Sequence, residues 1–232
     1  MQITKETNCV VIGLGASGLA AVRFLHGLGL QLSVSDSRAE NQMDVPSLEE
    51  LRELGVAIET GGHTYDFIRS AQLIVPSPGV PLDLPVIARA RGEGKSVVGE
   101  LAIAAGRIHR PVIGITGSNG KTTVTSLLGH LLQADNQRVF IGGNIGIPVL
   151  DFLSDSQNVD ALVLELSSFQ LEIGGEFRPD IGLLLNLSPD HIDRHGSMAN
   201  YIAAKRQIFA NQKPGDVAII GCDDASVVQE KI

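Results

Sequence analysis

Short apolar runs alternate along this chain with stretches whose apolar positions recur three or four residues apart, and Gly, Pro and Asp gather between them. A β-strand buried on both faces reads as a continuous apolar run, whereas an amphipathic helix keeps the longer period, so the alternation predicts repeated strand–helix units around parallel sheets. The first run, Cys9-Val-Val-Ile, breaks at Gly13 and continues as a helix to about Leu28. Strands follow at Gln31–Ser35, Val56–Glu59, Ala71–Val75 and Ser96–Val98. Between them the pattern predicts helices over Ser47–Leu54, a turn near Tyr65–Arg69, Leu84–Arg91 and a start at Glu100. Pro76-Ser-Pro-Gly-Val-Pro81 is too rich in proline to continue either kind of element.

The series restarts after Arg107-Ile-His-Arg110, which reads as a hinge. Pro111-Val-Ile-Gly-Ile is a strand, and Thr123–Gln133 a helix with Leu127, Leu128, Leu131 and Leu132 on one stripe. Strands are expected at Arg138–Ile141, Ala161–Leu166, Ile181–Asn186 and Asp216–Ile220, with a helix over Met198–Asn211 and another opening as the chain stops. The fold class is therefore α/β in two domains, 1–107 and 108–232, the second incomplete.

Composition narrows the function. A net charge of −8 argues against a nucleic-acid or anionic-membrane surface. Cys9 and Cys222 are far apart and both in strand contexts, which predicts reduced core thiols. No secretory signal or membrane-length apolar run is read, so the cytoplasm is the expected address.

Two glycine-rich turns carry the chemistry. Gly114-Ile-Thr-Gly-Ser-Asn-Gly-Lys-Thr-Thr-Val124 lies between a strand and a helix, the context of a phosphate-binding loop. It departs from the strict pattern in having Ile115 five residues before Gly120. Backbone N–H groups of Gly117, Ser118, Asn119 and Gly120, the helix N-terminus at Thr122 and Thr123, and the Lys121 ammonium would surround a phosphate, with Thr122 placed to ligate Mg²⁺. Gly13-Leu-Gly-Ala-Ser-Gly18, with Asp36 at the end of the next strand, has the spacing of a dinucleotide fingerprint, although the same glycines also serve close helix–strand packing.

Glu165 is the odd residue of its apolar run; a carboxylate ending a strand beside a phosphate loop is a metal-ligand candidate. Ser188-Pro-Asp-His-Ile-Asp-Arg-His195 brings His191 to the same rim as a ligand or substrate contact, and His195 is read as structural. By pattern alone Lys205 and Arg206 are a solvated helix face.

Together with Ser77-Pro-Gly79, Gly143-Asn-Ile-Gly146, Leu164-Glu-Leu-Ser-Ser-Phe-Gln-Leu-Glu172, Asn186, Asp190-His-Ile-Asp-Arg194 and Tyr201-Ile-Ala-Ala-Lys205, these motifs make the chain resemble the Mur ligases of peptidoglycan synthesis along essentially its whole length. The Leu-Ser-Ser-Phe-Gln-Leu stretch points to the members that add D-glutamate. The resemblance implies a Rossmann-like domain that binds the UDP of UDP-N-acetylmuramoyl-L-alanine, rather than a nicotinamide cofactor, followed by a partial P-loop ATPase domain. Ala16 and Ser17 would lie at the diphosphate, Asp36, Ser37 and Arg38 around the uracil, and Gly79 nearby as a backbone donor.

It further implies Lys121 on the ATP phosphates, Thr122 and Glu165 on a first Mg²⁺, and Asn144 and Ser167 near the muramoyl substrate. His191 would bind the substrate and a second Mg²⁺, together with a carbamylated Lys205. The implied reaction is ATP-dependent amide formation through an acyl phosphate, with Lys121, Glu165, His191 and Lys205 as the catalytic group. The expected protein is a monomer acting on small molecules, and the shortness of the chain predicts a fragment with little activity of its own. Another Mur-type ligase, or a non-catalytic dinucleotide-binding module, remain the alternatives.

Overall fold

The computed structural model describes residues 4–155 and 158–222. The helix expected at the end of the chain lies outside them. Contacts divide the chain into two compact units, Met1–Glu100 and Leu101–Ile232.

In the first unit, β1 (Asn8–Ile12), β2 (Gln31–Asp36), β3 (Ala57–Thr60), β4 (Leu73–Pro76) and β5 (Ser96–Val97) form one sheet in the order β3-β2-β1-β4-β5. Every pairing in it is parallel. Central β1 is sealed on both faces, with Val10, Val11 and Ile12 at 0% exposure, because helices cover it from either side. Val10, Ile12 and Ile74 pack on Ile68 of α3 (Tyr65–Ile68) and on Ile87 and Ala90 of α4 (Pro85–Gly92). Helix α1 (Ala16–Gly27) contributes Ala20, Ala21, Val22 and Leu25 to the core. Helix α2 (Val45–Glu53) begins where the Asp44 carboxylate accepts the Ser47 N–H, and Pro46 follows in the first turn.

The second unit opens with α5 (Glu100–Ala104) crossing the division. Its five strands are β6 (Val112–Thr116), β7 (Val139–Gly143), β8 (Ala161–Glu165), β9 (Ile181–Leu184) and β10 (Val217–Ile220), in the order β10-β9-β6-β8-β7, again all parallel. Helix α6 (Lys121–Ala134) covers β7 and β8. The expected leucine stripe is not its buried face. Leu127 and Leu131 are 56% and 55% exposed, while Thr125 and Gly129 turn inward. The helix lies so close to the sheet that a Cβ on Gly129 would run into the Ile141 side chain, so small residues make the contact. Leu128 and Leu132 are half-buried at its flanks.

Helices α7 (Val149–Asp155), α8 (Ser168–Glu172), α9 (Ile192–His195) and α10 (Met198–Arg206) complete the unit. Ser197 caps α10 by accepting the Asn200 N–H at 3.1 Å. On edge strand β10, Val217 and Ile219 continue the row of Ile181 and Leu183 on β9 and are 45% and 47% exposed. Cys9 is a buried core thiol, its pKa pushed up to about 12 by burial. Cys222 is exposed, contrary to expectation, and lies beyond the end of β10 at Ile220. Among the described residues no helix is long and apolar enough to cross a membrane.

Candidate functional site

In the second unit β6 breaks at Gly117 into the loop that becomes α6. Gly120 caps that helix at φ +80°, a left-handed conformation open to glycine and costly for most other residues. The loop is anchored to the β9 exit. The Asn119 N–H donates to Asn186 Oδ1 at 2.8 Å, and Asn186 Nδ2 donates back to the Asn119 carbonyl at 3.0 Å. Ser118 Oγ donates to the Ser188 carbonyl and accepts the Ser188 N–H, both at 2.9 Å. With its one proton so used, Ser118 takes the Tyr201 hydroxyl, 2.9 Å away, as a donor.

Strand β8 lies directly beside β6, with Glu165 opposite Ile115, and this register delivers Glu165 to the first turn of α6. The carboxylate is 2% exposed. Thr122 Oγ1 donates to its Oε2 at 2.7 Å, and Asn144 Nδ2 to its Oε1 at 2.8 Å. Both partners are neutral, so a buried carboxylate is held by hydrogen bonds that do not cancel its charge. Among the described residues no three His, Cys, Asp or Glu side chains converge. The donor set is instead one hydroxyl and one carboxylate beside a phosphate loop, hard oxygen ligands of the kind that Mg²⁺ takes together with phosphate oxygens. These residues fit that ion.

Lysines 121 and 205 meet at one carbonyl. Lys121 Nζ donates to the Gly117 and Ser118 carbonyls at 2.9 Å each, and Lys205 Nζ to the Gly117 carbonyl at 2.8 Å. Lys205 is 2% exposed and its ammonium lies 4.6 Å from the centroid of the Tyr201 ring, one helical turn earlier. Burial, with the Lys121 charge adding to it, lowers the Lys205 pKa to about 7.

His191 begins α9 at φ +52° and is exposed, its Nε2 3.5 Å from Asp190 Oδ2. Its ring packs on Phe169 at 4.9 Å between centroids. His195 is buried as expected of a structural residue, with Nε2 3.0 Å from Ser168 Oγ. Ser167 accepts the Gln170 N–H as the cap of α8, and Asn144 follows β7. Thr123 is exposed on the first turn of α6.

In the first unit, a Cβ on Gly18 would overlap the Gly13 carbonyl oxygen, which itself accepts Ser77 Oγ at 2.7 Å. Gly79 is therefore on a loop tied to the glycine turn. Ala16 and Ser17 open α1. Asp36 is 3% exposed, accepting the Leu14 N–H at 2.7 Å and both the backbone and the guanidinium of Arg38 at 2.9 Å. Burial opposes its charge, but these hydrogen bonds, led by the Arg38 side chain, outweigh it and take the pKa down to about 2. Ser37 and Arg38 are exposed beside it.

Pattern reading assigned no role to Ser188 and Tyr201. The available signal was Tyr201 standing four residues before Lys205 on one helix face.

Two parallel α/β units, each presenting a glycine turn at the carboxyl edge of its sheet, define a nucleotide-binding α/β protein whose second unit is of the phosphate-loop class. The chain belongs to the Mur ligase family: residues 115–232 match the Mur ligase middle domain, and residues 7–99 the MurD-like N-terminal domain. It is 52% identical over 222 residues to a UDP-N-acetylmuramoylalanine--D-glutamate ligase of Desulfotalea psychrophila, covering 96% of this chain and 48% of that one. An enzyme of the same name from Acidobacterium capsulatum is 48% identical, covering 95% and 48%. The chain thus spans about half the length of the curated relatives it matches. Among solved structures, UDP-N-acetylmuramate-alanine ligase MurC of Thermotoga maritima aligns with TM-score 0.52 at 25% identity, over 94% of this chain and 50% of that one. The UDP-N-acetylmuramate:L-alanyl-gamma-D-glutamyl-meso-diaminopimelate ligase (MPL) of Neisseria meningitidis aligns with TM-score 0.61 at 19% identity, over 97% and 74%, a likeness of fold.

Proposed function

We propose that this chain forms the UDP-substrate and ATP-phosphate halves of a ligase that joins D-glutamate to UDP-N-acetylmuramoyl-L-alanine. The reading follows the named relatives and rests on one observation above all: Glu165, buried, 2.7 Å from the Thr122 hydroxyl and hydrogen-bonded by its side chain to neutral partners, Thr122 and Asn144. In the first unit, residues 1–107 in this proposal, the α1 N-terminus at Ala16 and Ser17 faces the diphosphate. The turn Asp36–Arg38 receives the uracil, and Gly79 adds a backbone donor.

In the second unit the N–H groups of Gly117–Thr123 cradle the ATP phosphates, and Lys121 exchanges its carbonyl partners for them. Asn144 and Ser167 line the approach of the muramoyl substrate. Mg²⁺ held by Thr122 and Glu165, and a second ion by His191 and a carbamate on Lys205, would supply charge neutralisation for phosphoryl transfer. The chain's own part is to hold the ATP γ-phosphoryl in line with the alanyl carboxylate. After an acyl phosphate forms, amide formation by the D-glutamate amine releases phosphate, alongside the ADP of the first step. The protein acts as a cytoplasmic monomer on small molecules.

Calorimetry tests the metal assignment. ATP is expected to bind the wild-type chain in a Mg²⁺-dependent manner, and Glu165→Gln is expected to remove that dependence; equal Mg²⁺ enhancement in both would overturn it. A carbamate forms when a neutral amine adds its lone pair to the carbon of CO₂ and releases a proton, and a lysine with a pKa of about 7 is neutral in appreciable fraction at physiological pH. A ¹³C carbamate resonance is therefore expected from labelled bicarbonate above pH 7 and not from Lys205→Met.

A further inference from the structure

Beyond Asp36 the first sheet carries a hydrogen-bonded cluster that the proposed function leaves unused. On β2, Ser35 is fully buried and pairs in register with Glu59 of β3. Its Oγ is 2.7 Å from Glu59 Oε2, 2.7 Å from His63 Nδ1 and 3.2 Å from the Gly62 carbonyl. The Glu59 carboxylate also takes the Thr64 hydroxyl, and the Thr64 N–H at 3.1 Å. Burial works against its charge, but the Thr64 and Ser35 hydrogen bonds and the nearby His63 hold its pKa below the usual value.

These contacts assign the tautomer of His63. A serine hydroxyl has one proton. The ionised Glu59 and the Gly62 carbonyl can only accept, so Ser35 donates to one of them. The remaining short contact is complete only if Nδ1 carries a proton and donates to Ser35 Oγ. In the neutral ring Nε2 is then a bare acceptor. His63 is half-buried, so this acceptor sits on a ring that solvent reaches at the carboxyl edge of the sheet.

The same turn is tied to the residues assigned above to the base. The Gly61 N–H donates to the Arg38 carbonyl at 2.8 Å, and the Gly62 N–H to the Asp36 carbonyl at 3.3 Å. Those two bonds hold the backbone that leads into His63 against Asp36–Arg38. Uracil carries a donor, N3–H, where cytosine carries a lone pair.

We propose that His63 reads the base: its Nε2, fixed as an acceptor through Ser35 and Glu59, takes the uracil N3–H and disfavours cytosine. This rests on the reading that the first unit holds a uridine diphosphate, and it adds a specificity-determining residue to that site.

Calorimetry on the 232-residue chain tests it with UDP, CDP and N3-methyl-UDP. Wild-type protein is expected to prefer UDP to either analogue by about tenfold, the scale of one satisfied against one unsatisfied hydrogen bond. His63→Ala and Ser35→Ala should both bring the three affinities within about threefold of one another. Ser35 is buried and its variant can lose stability, so a measurement on the wild type accompanies it. By ¹⁵N NMR the His63 ring should show a protonated Nδ1 and an unprotonated Nε2, the latter shifting with UDP and not with N3-methyl-UDP. Equal wild-type affinity for UDP and N3-methyl-UDP, or UDP preference intact in His63→Ala, would overturn the proposal and leave the UDP site standing. Binding of NADH with no binding of UDP would sink the site itself and the proposal with it.

Discussion

Each unit sets an acidic residue, carried on the strand beside the loop, against a glycine turn, and the two acids are handled in opposite ways. Asp36 reaches the first turn through β2, the next strand in sequence, and meets the Leu14 N–H and the Arg38 guanidinium. Its charge is spent on the protein. Glu165 arrives through β8, which enters beside β6 only after β7 has gone to the sheet edge, and it meets a hydroxyl and an amide. No hydrogen-bonded partner cancels its charge, although the buried Lys205 ammonium feels it. In the function proposed above, the first acid would shape a site for an organic ligand and the second would hold a cation.

The largest test of this contrast is at Glu165. Glu165→Gln keeps the side-chain shape and one acceptor oxygen, removes the charge, and should weaken Mg²⁺-dependent nucleotide binding by about 100-fold. Calorimetry with and without the metal reads it. Gly18→Ala comes next, since its Cβ meets a backbone carbonyl that cannot move aside; about 3 kcal/mol of destabilisation is expected in urea unfolding. Gly129→Ala meets the far end of a flexible isoleucine and should cost clearly less in the same assay.

Asp36→Asn should destabilise the protein by about 2 kcal/mol at neutral pH. Its folded pKa lies below the unfolded value, so the contribution is complete above about pH 4 and is lost as pH falls towards 2. Wild type and variant should therefore converge in acid unfolding. The smallest effect is expected from Ser118→Ala, which strands the Tyr201 hydroxyl and the Ser188 N–H at about 1 kcal/mol, read by thermal unfolding.

The strands were legible because burial on both faces leaves an unbroken apolar run, as in Cys9–Ile12 and Ala161–Leu164. The short helices α7, α8 and α9 were not, since a helix of one or two turns shows no complete period. The α6 leucines misled for a different reason: the close approach of helix to sheet selected Thr125 and Gly129, and hydrophobicity alone does not register closeness. Lys205 shows the limit most plainly. Pattern reads it as solvated, yet α10 turns that side inward, and only the resemblance pointed to the site. Glu165 stood out because a carboxylate in an apolar strand conflicts with its surroundings, and the fold answers that conflict with the Thr122 and Asn144 donors.

Strand β10 carries a consequence for handling the protein in solution. One side of its backbone is paired to β9, no described strand takes the other, and Val217 and Ile219 stand in water. An apolar edge left open by the described residues invites a neighbouring molecule to add a strand, so light scattering from concentrated samples of this 232-residue chain should rise steeply with concentration. A lysine at position 219 is the simplest remedy, and it lies away from both glycine turns along the chain.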